Sequence, residues 1–274
     1  MRLRSSTSLA VRRRLLSYAK ALAGPDGNII PHPPPGRQAS GPIWFYWGQE
    51  VSRAPELVRS CFRTAHDFSD GRSVVPLDDG NIESFVSLPR FVMLKKERMG
   101  RTHFSDILRS ALLAQYGGTW MDATVYLTGP ITPYVTGRPF FAFTRPEDPF
   151  LLSSWFIHAE AGHPLMTAEL EMLYRYWSEQ DVLIDYFLFH FLFECGVTLC
   201  EPLRRHWLHV PEISFLAPHG LQACLLQVFD ERRFRNACQA TPIHKLTWKL
   251  DPEKCQDEHT FYSYLKNGVQ PTRD

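Results

Sequence analysis

The sequence holds six cysteines (Cys61, Cys195, Cys200, Cys224, Cys238 and Cys255) but no CxxC pair and no dense framework. This excludes a zinc knuckle and a secreted disulfide scaffold, and makes reduced thiols in a cytoplasm the default. Long apolar runs are missing too. The most apolar stretch, Tyr186 to Phe193 around His190, falls far short of the roughly 20 residues that cross a bilayer and reads as a buried helix. Neither sign of charge is in excess: 30 basic and 29 acidic residues give a net charge of +1, which argues against a nucleic-acid binder relying on bulk charge. No GxSxG, HExxH or P-loop pattern occurs, and no serine, cysteine or histidine triad stands out.

What is present fits a globular chain. Its 274 residues are 44% hydrophobic and 13% aromatic, enough for one large domain with a sizeable core. Residues 1–23 mix Arg2, Arg4, Arg12, Arg13, Arg14 and Lys20 with leucines, and no uninterrupted apolar stretch follows the arginines, so they make a poor signal peptide. Two readings of this segment stay open: a basic amphipathic helix on an anionic membrane surface, or a solvated helix or frayed terminus. Residues 24–42 are rich in proline and glycine and read as an extended linker. This gives residues 1–42 as basic helix plus linker and residues 43–274 as one α/β domain.

The densest information lies between His103 and Pro130. Phe104, Leu108, Ala111, Leu112 and Gln115 recur at helical spacing, Thr102 or Ser105 is placed to cap the helix start, and Gly117-Gly118 ends it. Ser105, Asp106 and Arg109 share a strip of that helix, which puts a carboxylate and a guanidinium one turn apart. Alternation then sets Trp120, Asp122 and Thr124 on one strand face and Met121, Ala123 and Val125 on the other, until Gly129-Pro130 breaks the run. A carboxylate and a hydroxyl leaving one strand face together suit a hard cation that is also held by substrate phosphates. Taken alone, SDxxR reads equally well as an ordinary surface ion pair.

Elsewhere the spacing predicts strands at 43–47, 73–77, 140–144 and 151–158, and helices at 54–68, 165–177 and 185–194, with two short helices broken at Pro89 within 82–96. Asp78 and Asp79 read as turn formers. His158, His163 and His190 read as packing or capping residues, because none belongs to a spaced ligand set. Pro242 to Leu246 reads as a loop, with Trp248 and Lys249 following it.

The string SDILRSALLAQYGGTWMDATVYL resembles the signature of the capsular polysaccharide synthesis proteins, which are similar to glycosyltransferase family 32 and, more distantly, to the glucosylating domains of large clostridial toxins. PIWFYWGQE at 42–50 resembles the family's first strand and PIHKLTWK at 242–249 its C-terminal signature. The resemblance implies a GT-A fold, an α/β nucleotide-sugar-binding domain whose mixed, mostly parallel central sheet is flanked by helices. It also implies a retaining, metal-dependent bacterial glycosyltransferase. This would move a hexosyl or N-acetylhexosaminyl group from a UDP-sugar to a hydroxyl of capsule or lipopolysaccharide, or of its lipid-linked precursor. The enzyme would be cytoplasmic or peripheral on the inner face of the inner membrane, and would act on no nucleic acid.

By the same resemblance Asp122, Thr124 and His244 form a site for Mn²⁺ or Mg²⁺, and Asp122, Asp106 and Arg109 act in catalysis. Ser105, Asp106 and Arg109 grip the donor sugar, Trp47 stacks on the base, Trp120 lines the substrate site, and Lys245 and Lys249 neutralise phosphate. The family usually carries Asp-x-Asp where this chain has Asp122-Ala123-Thr124, and a hydroxyl is a weaker ligand than a carboxylate. That departure keeps a second reading alive, a non-catalytic sugar-nucleotide or glycan-binding subunit with the same fold.

Overall fold

The computed structural model describes residues 41–146 and 150–268, together with Arg13 and Ser17. Arg13 and Ser17 are helical and exposed, while the rest of the basic segment and nearly all of the linker lie outside the described residues.

Among the described residues seven strands form: β1 (Ile43–Tyr46), β2 (Val74–Leu77), β3 (Gly118–Asp122), β4 (Val125–Leu127), β5 (Phe140–Thr144), β6 (Leu152–Ala159) and β7 (Ile243–Lys245). Five make a central sheet in the order β2-β1-β3-β6-β5, and β4 pairs with β7 in a separate ribbon. β1 runs parallel to β2 and β3, whereas β6 is antiparallel to both β3 and β5. Only β6 therefore opposes the rest, and the C-terminal ends of β2, β1, β3 and β5 line one edge. This is the mixed, mostly parallel sheet expected. In such sheets ligands settle in the crevice outside the carboxyl ends of the strands.

Helices cover both faces. In chain order they are α1 (Glu56–Asp67), α2 (Arg90–Tyr116), α3 (Pro133–Thr136), α4 (Pro164–Glu179), α5 (Leu188–Leu199), α6 (Glu201–Leu208), α7 (Glu231–Ala240) and α8 (Phe261–Asn267). Trp44, Tyr46 and Trp120 pack with α2, α4 and α5 on one face, and Phe45 packs with α1 and α8 on the other. The expected break at Pro89 is present, since Pro89 caps α2. The expected start at Thr102 or Ser105 is not: α2 runs on from Arg90 and is kinked at Gly100, where φ is 72°. Within α2 nearly every residue from His103 to Leu113 is buried, so this part of the helix has no solvated side. Gln115, placed in the apolar stripe by its spacing, is exposed. Likewise Tyr186 and Phe187 stay exposed at the start of the apolar run, and Leu188, Phe189, Leu192 and Phe193 carry its buried part.

Two further expectations are corrected. The strand through Asp122 stops there, turns at Ala123-Thr124 and resumes as β4 in the other ribbon. Residues 243–245 form β7 rather than a loop, because Tyr126 of β4 gives His244 a ladder partner. The entry into β3 depends on Gly117 and Gly118, whose φ values are 66° and 96°. A Cβ on Gly118 would lie 2.3 Å from the Pro42 carbonyl oxygen, and one on Gly117 2.5 Å from the Ala161 amide nitrogen.

Gly118→Ala should therefore cost about 2 kcal/mol or more, combining an unfavourable φ with a backbone clash. The measurement is the urea midpoint at unchanged slope. A second expectation concerns acid. Burial, with Arg72 beside it, lowers the His158 pKa to about 4; burial also lowers His163 to about 3 and His244 to about 4. In the unfolded chain these rings take a proton near pH ~6.5, which the folded chain refuses. Stability should fall as pH drops from ~6.5 toward those lowered values, with a slope set by several protons. Melting temperatures across that range test this.

Candidate active site

The carboxyl edge of the sheet gathers charge around Asp122, the last residue of β3. Its side chain is 28% exposed. Trp120 Nε1 donates to its Oδ1 at 2.9 Å, and Lys245 Nζ donates to its Oδ2 at 3.0 Å. Arg109 Nη2 lies 3.6 Å from Oδ1. Burial alone would raise the Asp122 pKa, but Lys245, Arg109 and the indole hydrogen bond together hold it below the usual carboxylate range. Lys245 comes from β7, whose pairing with Val125 of β4 fixes it beside the turn, and its ammonium also donates to Thr124 Oγ1 at 2.7 Å.

Behind Asp122 lies Arg109, 2% exposed, with Asp106 beside it at 5%. Arg109 Nη2 sits 3.0 Å from Asp106 Oδ1, Nε donates to the Ser105 carbonyl at 3.3 Å, and Nη1 donates to the Ser154 carbonyl of β6. The guanidinium also lies over the rings of Trp120 and Phe189, 5.3 and 5.4 Å from their centroids. His103 Nδ1 is 3.4 Å from the other Asp106 oxygen. The pair is thus not a surface ion pair: both side chains are buried, and Arg109 directs donors to acceptors inside the protein. Ser105 is turned to the helix backbone, donating to the Thr102 carbonyl at 2.6 Å.

His244 is not brought to this cluster. Neighbouring strand residues face opposite ways, so with Lys245 on Asp122 the histidine points into the core. It is fully buried, and its Nε2 lies 3.1 Å from Thr128 Oγ1. His158 and His163 do pack or cap as expected. Thr119 Oγ1 sits 2.9 Å from His158 Nδ1 while accepting from Arg72, and His163 Nδ1 accepts from the Leu165 amide at the start of α4.

At the end of β1, Trp47 and Trp248 meet edge to face with centroids 5.6 Å apart. Trp248 is 41% exposed, and Trp47 Nε1 is buried without a hydrogen-bond partner among the described residues. Lys249 is exposed and does not reach Asp122. Spacing gave no sign of three other residues on this edge. Tyr46 donates from its hydroxyl to Asp79 Oδ1 at 2.7 Å, and Lys96 Nζ sits 2.9 Å from the same oxygen. Asp79 is therefore more than a turn former, while Asp78 does form the turn by accepting from the Gly80 and Asn81 amides. A cavity of about 350 Å³ opens on the same edge beyond β6, lined by Thr144, Arg145, Phe150, Leu151, Trp207 and Glu212 among others.

Residues 29–265 match the family described as capsular polysaccharide synthesis protein. The chain belongs to that family. A search of curated proteins finds no match. Among solved structures, the PaToxG glycosyltransferase aligns with 13% identity and a TM-score of 0.40, over 85% of this family member and 92% of that chain.

The divalent cation expected of the family member finds few ligands here. The described residues contain no group of three or more His, Cys, Asp or Glu able to hold a metal. Asp122 and Thr124 offer one carboxylate and one hydroxyl, and both already accept from Lys245. Hard divalent cations ask for about six oxygens, so this donor set does not fit a protein-held ion.

Glu169 of α4 is fully buried, with neither carboxylate oxygen hydrogen-bonded among the described residues. Burial pushes its pKa well above the carboxylate range, Asp106 adds to the rise, and Arg109 opposes it. The folded chain thus keeps a proton that the unfolded chain releases, and this costs stability as pH rises above the ordinary glutamate value. Glu169→Gln should melt above the natural chain at about pH 8 and close to it at about pH 4. By contrast Arg109→Lys, which strips Asp106 and Asp122 of a forked partner, should lose about 3 kcal/mol in chemical denaturation.

Proposed function

We propose that this protein is a glycosyltransferase of the GT-A type. It would move a hexosyl or N-acetylhexosaminyl group, with retention of configuration, from a UDP-sugar to a hydroxyl of a bacterial surface polysaccharide or its lipid-linked precursor. The observation that carries the reading is the cluster at the sheet's carboxyl edge: one carboxylate held between an ammonium and a guanidinium, beside a half-exposed tryptophan pair, in a capsular polysaccharide synthesis protein. The base stacks at Trp47 and Trp248, where an aromatic surface gives area and an exposed edge. The diphosphate lies toward Lys245, and the sugar lies over Asp122.

Across the edge, β6 and β5 separate Asp122 from the cavity at Arg145 and Trp207, which leaves that cavity for the acceptor glycan. Charge stabilisation at the leaving group is the main demand of such a transfer, and preorganised cations in a partly dry site meet it. No helix among the described residues is long and apolar enough to cross a membrane. We place the enzyme in the cytoplasm or on the inner membrane's cytoplasmic face, where a lipid-linked acceptor is presented.

Asp122→Asn keeps volume and removes the charge. UDP-sugar turnover should fall about a hundredfold or more, with cooperative melting retained. Tryptophan fluorescence should also quench on UDP binding, and Trp248→Ala should lose most of that signal. The single-carboxylate site favours one competing reading, a subunit that binds sugar nucleotides without turning them over. Saturable UDP-sugar binding with no hydrolysis or transfer across a donor panel would establish that reading instead.

A further inference from the structure

We propose that the Lys245 ammonium is the resident cation of this site and that it takes the charge of the departing diphosphate without a bound metal ion. The proposal rests on the transferase reading above. Its basis is position: Lys245 Nζ lies 3.0 Å from Asp122 Oδ2 and 2.7 Å from Thr124 Oγ1, bridging the two oxygens that the Asp-Ala-Thr turn would offer a metal. Arg109 adds a second positive group 3.6 Å from the other carboxylate oxygen. A divalent ion entering here would meet a carboxylate already paired to Lys245, with Arg109, itself paired to Asp106, close behind it, and like charges at such distances repel in a partly buried site. His244, the remaining expected ligand, is fully buried on the other side of β7.

Lys245 is also built to stay. Its strand is paired to β4 and the next amide, of Leu246, donates to the Thr124 carbonyl, so its backbone is fixed beside the turn, and the side chain is 18% exposed, open enough to meet a ligand. An ammonium carries three N–H donors; Asp122 and Thr124 take two, leaving one for a phosphate oxygen.

In the transfer, the bond between the anomeric carbon and the β-phosphate oxygen breaks, and its electron pair stays with the diphosphate. The acceptor oxygen bonds to the anomeric carbon, and its proton leaves to the departing diphosphate or to water. Lys245 stays protonated throughout and hydrogen-bonds the oxygen on which the new negative charge gathers. Asp122 keeps Arg109 and the Trp120 indole as partners while the ammonium turns toward phosphate. On this account Asp122 positions the cation, and Lys245 is the catalytic residue.

The test is calorimetric titration of UDP into the full chain, in EDTA and then in Mn²⁺, with donor turnover followed under both conditions. The natural chain should bind UDP in EDTA within about twofold of its affinity in Mn²⁺, and should turn donor over in both. Lys245→Met, which keeps the stem and drops the charge, should weaken UDP in EDTA by about tenfold or more, and Lys245→Arg should retain most of the affinity. Mn²⁺ should restore part of the loss in Lys245→Met, because the freed carboxylate then accepts a metal. A structural lysine would give no such rescue.

UDP affinity or turnover that appears in the natural chain only with Mn²⁺ would overturn the proposal and leave the transferase reading standing. This comparison needs no variant and stands even if Lys245→Met fails to fold. Unchanged UDP affinity in Lys245→Met would also overturn it. Absence of UDP binding under both conditions would remove the nucleotide-sugar reading and the proposal with it.

Discussion

A carboxylate at the end of a sheet strand, under a helical layer, remains an anion only if positive groups reach it. Asp122 meets that condition from two directions. Arg109 comes from the buried helix packed on the sheet and Lys245 from a ribbon formed far along the chain. The rest of the architecture around this edge can be read as support for those two approaches. α2 is kinked at Gly100 and ends at the paired glycines that lead into β3, and Arg109 from its buried half reaches the strand's last residue. The β4–β7 ladder sets the height at which the ammonium enters. Loss of either cation would leave a partly buried negative charge, a far larger penalty than loss of an exposed ion pair.

The burial of α2 also changes what its polar residues are for. Where the helix is walled in by apolar neighbours its polar side chains need partners, and Asp106 and Arg109 pair with each other while His103 Nδ1 lies 3.4 Å from Asp106 without a hydrogen bond. Glu169 does not join them by hydrogen bonds among the described residues, and burial raises its pKa instead. The interface between α2 and α4 therefore sets Glu169, whose pKa burial raises, beside the paired Asp106 and Arg109.

Much of this was legible in the residues. Strand and helix periods located most elements, and Phe140–Thr144 appeared within its expected bounds. The mixed, mostly parallel sheet and the family followed from the central string together with its two flanking motifs. What could not be read was local geometry that depends on distant partners. Alternation through Asp122 and Thr124 hides a turn, because Ala123 and Thr124 carry no glycine or proline to mark it. Three residues at 243–245 become a strand only because β4 waits for them, and that pairing decides that Lys245 and not His244 faces the site. Spacing alone also left Asp106 and Arg109 undecided, since an i, i+3 charge pair looks the same on a solvated helix and on a buried one. Tyr46, Asp79 and Lys96 meet across three separate elements, and no short motif links them.

The contact between Asp122 and Lys245 spans 123 residues of sequence. Closing a loop of that length is entropically costly, and such contacts form after local ones during folding. The sheet and α2 are encoded before the ribbon's second strand and can assemble as the chain leaves the ribosome, with Asp122 then facing Arg109 alone. The ammonium arrives only when residues 243–245 have been made and have found β4. The charge balance of the site therefore reports that the C-terminal half has docked, and a chain that is still growing or only half folded carries at this edge a carboxylate without its ammonium.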